Sequence, residues 1–519
     1  MQHENNIKKL CNSYIERVGT TLSNSAKGQT SLIQFFIFLF IYISVGMCFT
    51  YYSFDFLNTN FNTIFGADTP RVIVDFTQIG ANHYRTAVHP LQLILIQPFI
   101  SFVNGFFHDI PMTIIIAQSL AGASVVALLN STLYNFTDKK DLSLIFSAIY
   151  GVTFSAILFT AIPETYVFSA LFNILLWYYI SLLLKNNVNK LSWANIFVLS
   201  LISLVSFGVI MANVIITLIS VLFLLASVYK LNIKKVLKDF GKICLISISL
   251  TIGLVVLQKV AWHAPLFFEN LLLAATKPND FEEYRYMNFS ISVAKTFGIY
   301  LQNFIAPITA TPIIFTEGFD IETNRFTYIT NNVLFYLIPM SLMYLISIFS
   351  FIKNIKSIKP IKFLIYTLLM IILTEAFFSY AYGWSKSLNS VETFIYSQNY
   401  LSFIFLFMGL GFNSIWNKFS KCFLGLFLLY QVIINSYFLS TIFVFLQENA
   451  VKPFSGFTMF AYGLLITAII LAFVLVCKKL FAEKITNLSI ENKYFYFSIA
   501  YLTYIIFYAI IVSINYWRP

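Results

Sequence analysis

The chain has 519 residues, of which 59% are hydrophobic and 11% charged, with 58 Phe, a mean hydropathy of +0.78 and a formal net charge of +11. A soluble globular chain is about 45–50% apolar, so this composition excludes one. No GxGxxG or GxxxxGK[ST] sequence is present, which removes those nucleotide-binding loops. The basic excess is a topological signal rather than a nucleic-acid surface.

In chain order, a basic tail (1–30) precedes a first apolar run at 31–52. Further runs follow at 111–133, 142–161, 165–185, 192–208, 212–229, 243–260, 332–352, 361–381, 399–415, 422–446, 457–477 and 494–515. About 20 apolar residues cross a bilayer as a helix. The expectation is therefore an all-α polytopic membrane protein with about 13 transmembrane helices. The run 192–229 must divide near Asn213. The first run is too long for a signal-peptide core and lacks a cleavage site, so it is expected to stay as a span. Cys11, Cys48, Cys244, Cys422 and Cys477 are scattered without a CxxC pair, and neither a disulfide framework nor a zinc site is expected.

One further apolar run, "PLQLILIQPFISFVNGFF" at 90–107, is short and interrupted by Pro98 and Gly105. Charge decides its placement. If it does not cross, 23 of the 33 Lys and Arg fall inside, as the positive-inside rule requires. If it crosses, every later basic loop moves outside. It is therefore expected to be an interfacial or re-entrant helix on the outer side. The N-terminus is then cytoplasmic and the C-terminus periplasmic. The expected organisation is a tail (1–30), a transmembrane module (31–260) carrying a first large outer loop (53–110), a second large outer loop (261–331) and a C-terminal module (332–519).

The first outer loop concentrates charge in a chain that otherwise avoids it. "FGADTPRVIVDFTQIGANHYRTAVHP" (65–90) holds Asp68, Arg71, Asp75, His83, Arg85 and His89. If helical after Pro70, residues 68, 71 and 75 share one face. A carboxylate, a cation and an imidazole at a membrane surface suit a polar substrate whose tail lies in lipid. Arg71, Arg85 or a protonated His89 suits a phosphate, and Asp68 suits proton acceptance from an attacking hydroxyl or amine. Glu164, in the hairpin tip "AIPETYVFS", is the only acid between Asp141 and Asp239. An isolated acid at an interface is a functional candidate, although Pro163 and Glu164 also suit the first turn of a helix.

These residues resemble the polyprenyl-phosphate-sugar-dependent glycosyltransferases of the membrane-embedded GT-C class. The lipid A aminoarabinose transferases and their protein O-mannosyltransferase relatives are the nearest pattern. The matching features are the acid and Arg of "DTPR" (Asp68, Arg71), the basic residue and Pro of "HPLQLIL" (His89, Pro90), the second acid of "IPETY" (Glu164), a second outer loop after the seventh span, and thirteen spans in all. The motifs cover about residues 30–175. The aminoarabinose transferases have Asp-Glu where this chain has Asp68-Thr69, Lys where it has His89, and Asp where it has Glu164. The resemblance thus names neither donor sugar nor acceptor.

The resemblance implies a sugar transferred on the outer face from a polyprenyl-phosphate-linked donor to a glycolipid, glycan or protein, by inverting displacement. Asp68 would be the general base. Arg71 and His89, with Arg85 in reserve, would stabilise the leaving phosphate. Glu164 would orient Arg71 or bind the sugar. Asp75, His83, His263, Lys277, Arg285, Glu392 and Tyr396 are further candidate substrate contacts. Some relatives bind a divalent ion with acids of this loop, but no acidic DxD cluster is present at the motif, so metal independence is the expectation and a divalent metal the alternative. A bacterial inner membrane is the expected location, the bilayer and the lipid-linked donor are the expected partners, and no nucleic acid is. Two rival readings stand beside this one. An O-antigen polymerase or ligase would place an Arg-rich loop later in the chain, where Arg is scarce. A lipid-linked-sugar transporter or flippase would need polar or charged residues lining its spans, and these offer little: Glu375, with Asn130, Asn173 and Asn213.

Overall fold

Long apolar segments with no water to satisfy their backbone must bond internally, and helices do this. The computed structural model describes residues 30–60, 63–78, 86, 88–266, 269, 304–316, 325–328, 334–354, 364–374, 394, 396–449, 461, 463–472, 474 and 490–516. The first helices are Thr30–Tyr51 (α1), Phe54–Thr59 (α2), Thr69–Thr77 (α3), Gln92–Phe107 (α4), Ile110–Thr137 (α5) and Lys140–Gly151 (α6). Next come Phe154–Ala161 (α7), Tyr166–Lys185 (α8), Trp193–Val209 (α9), Asn213–Val228 (α10) and Ile233–Trp262 (α11). A hairpin, Ile313–Thr316 (β1) with Arg325–Tyr328 (β2), precedes Leu334–Asn354 (α12). Leu364–Thr374 (α13), Gln398–Asn413 (α14), Lys418–Glu448 (α15), Gly463–Ala472 (α16) and Ile490–Tyr516 (α17) complete the described chain.

Six of these helices (α1, α5, α8, α11, α15 and the Asn492–Ile514 part of α17) are long and apolar enough to cross a membrane, and the bent pair α6 and α7 makes a seventh. The outward stripe of α11, Leu245, Ile248, Ile252, Val256 and Val260, is apolar and exposed. Its spacing of three to four residues marks one helix face. Such a stripe is unfavourable in water and suits hydrocarbon. The protein is thus a helical integral membrane protein. The run 192–229 divides as expected, with α9 ending at Val209 and α10 opening at Asn213.

Helix α5 forms the centre, packed against α4, α6, α7, α8 and α14. The α6–α7 pair bends by 56° at residues 152–153. The side chain of Thr153 accepts from the Ala156 amide and restarts the helix. A segment from the second loop fits into the break: Ser155 N–H donates to Pro307 at 2.9 Å and Phe154 N–H to Ile308 at 3.3 Å. From α15, Asn435 donates to Val152 and to Ile308 at 2.8 and 2.9 Å. Close approach also fixes Gly151, where an added Cβ would overlap the buried ring of Phe38. Gly151→Ala is expected to cost about 1–3 kcal/mol, measured as a lower thermal midpoint in detergent.

The helical architecture matches the all-α expectation, and two local features add to it. First, one short hairpin joins the helices. β1 and β2 pair antiparallel with Ile313 opposite Tyr328, and the Phe326 amide donates to Thr63 at 2.9 Å. Their β-branched and aromatic residues favour this pairing. Second, α4 runs unbroken through Pro98 and Gly105. Proline removes a helical donor. Two tyrosines of α17 donate to carbonyls beside it, Tyr501 to Leu95 at 3.1 Å and Tyr504 to Pro98 at 2.8 Å.

Candidate functional site

The site begins at a turn. Phe65 (φ 53°) and Gly66 (φ 79°) are both left-handed, and the Ala67 amide closes the turn on Ile64 at 3.0 Å. Glycine adopts this geometry freely and phenylalanine does not. Phe65 is held there by packing, fully buried, with its ring 5.0 Å from Phe394 and 5.9 Å from Phe154. The turn delivers Asp68 to the start of α3, where Pro70 suits the first turn.

On α3 the expected face forms. Arg71 Nε donates to Asp68 Oδ2 at 2.9 Å, and Arg71 Nη1 donates to Asp75 Oδ2 at 3.0 Å. The side chains are 9%, 13% and 2% exposed for Arg71, Asp68 and Asp75, so both ion pairs are poorly solvated. Charge-assisted bonds of this kind are strong and directional.

Glu164 reaches the same group from 96 residues away. It is buried, and its Oε1 accepts the Asp68 backbone N–H at 3.2 Å, while Oε2 accepts that of Thr165 at 2.7 Å. Its loop is held from two sides. Thr50, in the π-helical last turn of α1, donates to the Ala161 carbonyl. Gln118 of α5 donates to Ile162 at 2.8 Å and Glu164 at 2.9 Å, carbonyls left over at the end of α7. Burial raises the Glu164 carboxyl above its ordinary value of 4.5. Arg71 and the two backbone donors oppose this. A raised carboxyl favours the protonated native state, so its contribution to stability is lost as pH rises through the folded pKa. Wild type is therefore expected to lose stability relative to Glu164→Gln as pH rises above 4.5, checked by thermal midpoints across pH. Midpoints that stay parallel would contradict it.

Asp68, Arg71, Asp75 and Glu164 thus come together. His89 is buried and its Nδ1 lies 2.8 Å from the Val209 carbonyl. A carbonyl only accepts, so Nδ1 carries the proton, and Nε2 donates to a phosphate only from the imidazolium. His263 is the exposed, left-handed cap of α11 (φ 55°). The Tyr396 ring stands edge-on to Tyr166, 5.7 Å away and two residues beyond Glu164. His83, Arg85, Lys277, Arg285, Glu375 and Glu392 lie outside the described residues. Among the described residues, no group of three or more His, Cys, Asp or Glu is arranged to hold a metal.

Sequence reasoning passed over three glutamines, since Gln in an apolar run carries no pattern. Gln118 is one. Gln97 of α4 donates to Gln78 at 2.9 Å and Asp75 at 3.3 Å, and accepts from the indole of Trp262, joining α3, α4 and α11. The third, Gln92, is buried, with no partner for its amide among the described residues. Conversely, Asn173 and Asn213, candidate path-lining residues, bond each other at 3.1 Å. Asn173 also donates to Asn399, and Asn213 to Ser169. They serve as interhelical ties. A comparison with protein-family models, curated proteins and solved structures finds no match to this chain.

Proposed function

We propose that the protein is a membrane glycosyltransferase that moves a sugar from a polyprenyl-phosphate-linked donor to a glycolipid, glycan or protein acceptor. The observation that carries this reading is the Asp68–Arg71–Glu164 group: a carboxylate and a guanidinium 2.9 Å apart, with a second buried acid bonded to the backbone of the first. Asp68 takes the proton of the acceptor hydroxyl as its oxygen attacks the anomeric carbon. The bond from that carbon to the phosphate oxygen breaks, and Arg71 stabilises the leaving phosphate. His89 and Arg85 assist at the phosphate, and Glu164 holds the loop that carries Asp68. We place this site on the outer face of a bacterial inner membrane, in a GT-C-like fold of thirteen spans with the N-terminus inside. The protein in detergent, given polyprenyl-phosphate sugars and a membrane extract as acceptor, is expected to release polyprenyl phosphate as acceptor becomes labelled.

A second reading has one observation in its favour. The inserted segment 304–311 and the bent pair α6–α7 are irregular backbone inside a helical bundle, a feature transporters use at substrate sites. Movement of lipid-linked sugar across liposomes without transfer would favour a flippase. A polymerase or ligase would instead transfer a whole polyprenol-linked glycan rather than a single sugar.

A further inference from the structure

Gln92 is the first residue of α4 and lies three residues after His89. It is 1% exposed, and among the described residues neither its amide nitrogen nor its amide oxygen has a hydrogen-bond partner. Its neighbours in α4, Leu93, Ile94, Leu95 and Ile96, are all buried and apolar. An amide buried with both ends unsatisfied is costly, and leucine of similar volume would avoid that cost. For folding alone, glutamine is a poor choice here.

The frame around Gln92 is rigid. The Leu91 amide donates to Gly208 and the Met211 amide to Val88, both at 2.8 Å, fastening the start of α4 to the end of α9. Gln258 of α11 donates to Pro90 at 3.1 Å and accepts the Ile94 amide at 3.2 Å. Residues 92, 96 and 99 line one helix face. On that face the Phe99 ring is 6.4 Å from Phe168, which is 5.9 Å from Phe76 of α3. Gln92 is thus on the α4 face that carries Phe99 to the first turn of α8, the helix that follows Glu164. The positive end of the α4 dipole lies at the same place.

We propose that Gln92 is a further binding residue for the glycosyl-phosphate end of the donor, an inference that rests on the transferase reading. The unpartnered amide offers donors and an acceptor together. A glycosyl phosphate presents the complement: phosphate oxygens accept from Nε2, and an adjoining sugar hydroxyl donates to Oε1. A buried carboxylate would repel the phosphate, and an apolar side chain would offer nothing.

The test compares wild type, Gln92→Leu and Gln92→Glu in detergent. It measures donor KM and kcat, and the thermal midpoint with and without added polyprenyl phosphate. Gln92→Leu is expected to match or exceed wild type in unliganded midpoint, while donor KM rises about 10- to 100-fold, as loss of a hydrogen bond to a charged group predicts. Stabilisation by polyprenyl phosphate should shrink with it. Gln92→Glu is expected to raise donor KM further. A merely structural glutamine gives the opposite split: a lower midpoint and a donor KM within twofold of wild type, which would overturn the assignment. If Gln92→Leu does not fold, an unchanged donor KM in the isosteric Gln92→Glu overturns it equally. Active wild type with unaltered variants rejects Gln92 alone. Wild type that neither transfers sugar nor is stabilised by polyprenyl phosphate rejects the transferase reading and Gln92 with it.

Discussion

Asp68→Asn is expected to lower kcat for sugar transfer by about 100- to 10,000-fold, the usual contribution of a positioned general base, with the fold unchanged. The structural side of this expectation is specific. Asparagine keeps an oxygen to accept from Arg71 Nε, now 2.9 Å from Asp68 Oδ2. The bond from the residue-68 amide to Glu164 Oε1 uses the backbone and is untouched. Asp68 caps α3 without a side-chain bond to the helix backbone, so no cap is lost. What disappears is the proton acceptor. Donor KM should change little, because the phosphate is held by other groups. Release of polyprenyl phosphate should fall together with acceptor labelling. A variant that transfers at more than a tenth of the wild-type rate would remove Asp68 as the base while leaving the enzyme class standing.

What the sequence made legible and what it hid follow from the range of the interactions. The face of Asp68, Arg71 and Asp75 is local, and helical spacing after Pro70 suffices to place it. The helical membrane architecture is equally local, since it rests on apolar runs. Glu164 could be flagged as an isolated acid, yet nothing in spacing predicts its bond to the Asp68 amide 96 residues earlier. Gln97 and Gln118 were invisible for the same reason: their partners are carbonyls left over at helix ends, set by packing. The pairing of β1 with β2 escaped because what seats it, the Phe326 amide on Thr63, is a contact with another loop. His89 was legible as a polar residue before a proline. Only the structure shows its Nδ1 at the Val209 carbonyl, which limits the ring to donating from Nε2 when charged.

Arg71→Ala is expected to lose both stability and transfer, and a second substitution separates the two effects. The guanidinium is bonded to two carboxylates at 2.9 and 3.0 Å, one of them, Asp75, only 2% exposed. Removing one partner of a buried ion pair costs about 3–5 kcal/mol, because the remaining charge is stranded. Its loss at the leaving phosphate is expected to reduce kcat by a further 100- to 1,000-fold, as for other preorganised donors (about that range). The double variant Arg71→Met, Asp75→Leu removes the cation and the more deeply buried of its two carboxylate partners, leaving the more exposed Asp68. It should recover most of the thermal midpoint and none of the transfer. Arg71 also holds the Glu164 carboxyl down against burial, so Arg71→Met should raise that group further. Arg71→Lys keeps the charge but loses the fork, and donor KM should rise while stability is largely retained. Recovery of transfer in the double variant would make Arg71 a structural partner of Asp75 alone. Loss of transfer with the midpoint restored leaves phosphate stabilisation as its role, since by then the packing argument has been removed.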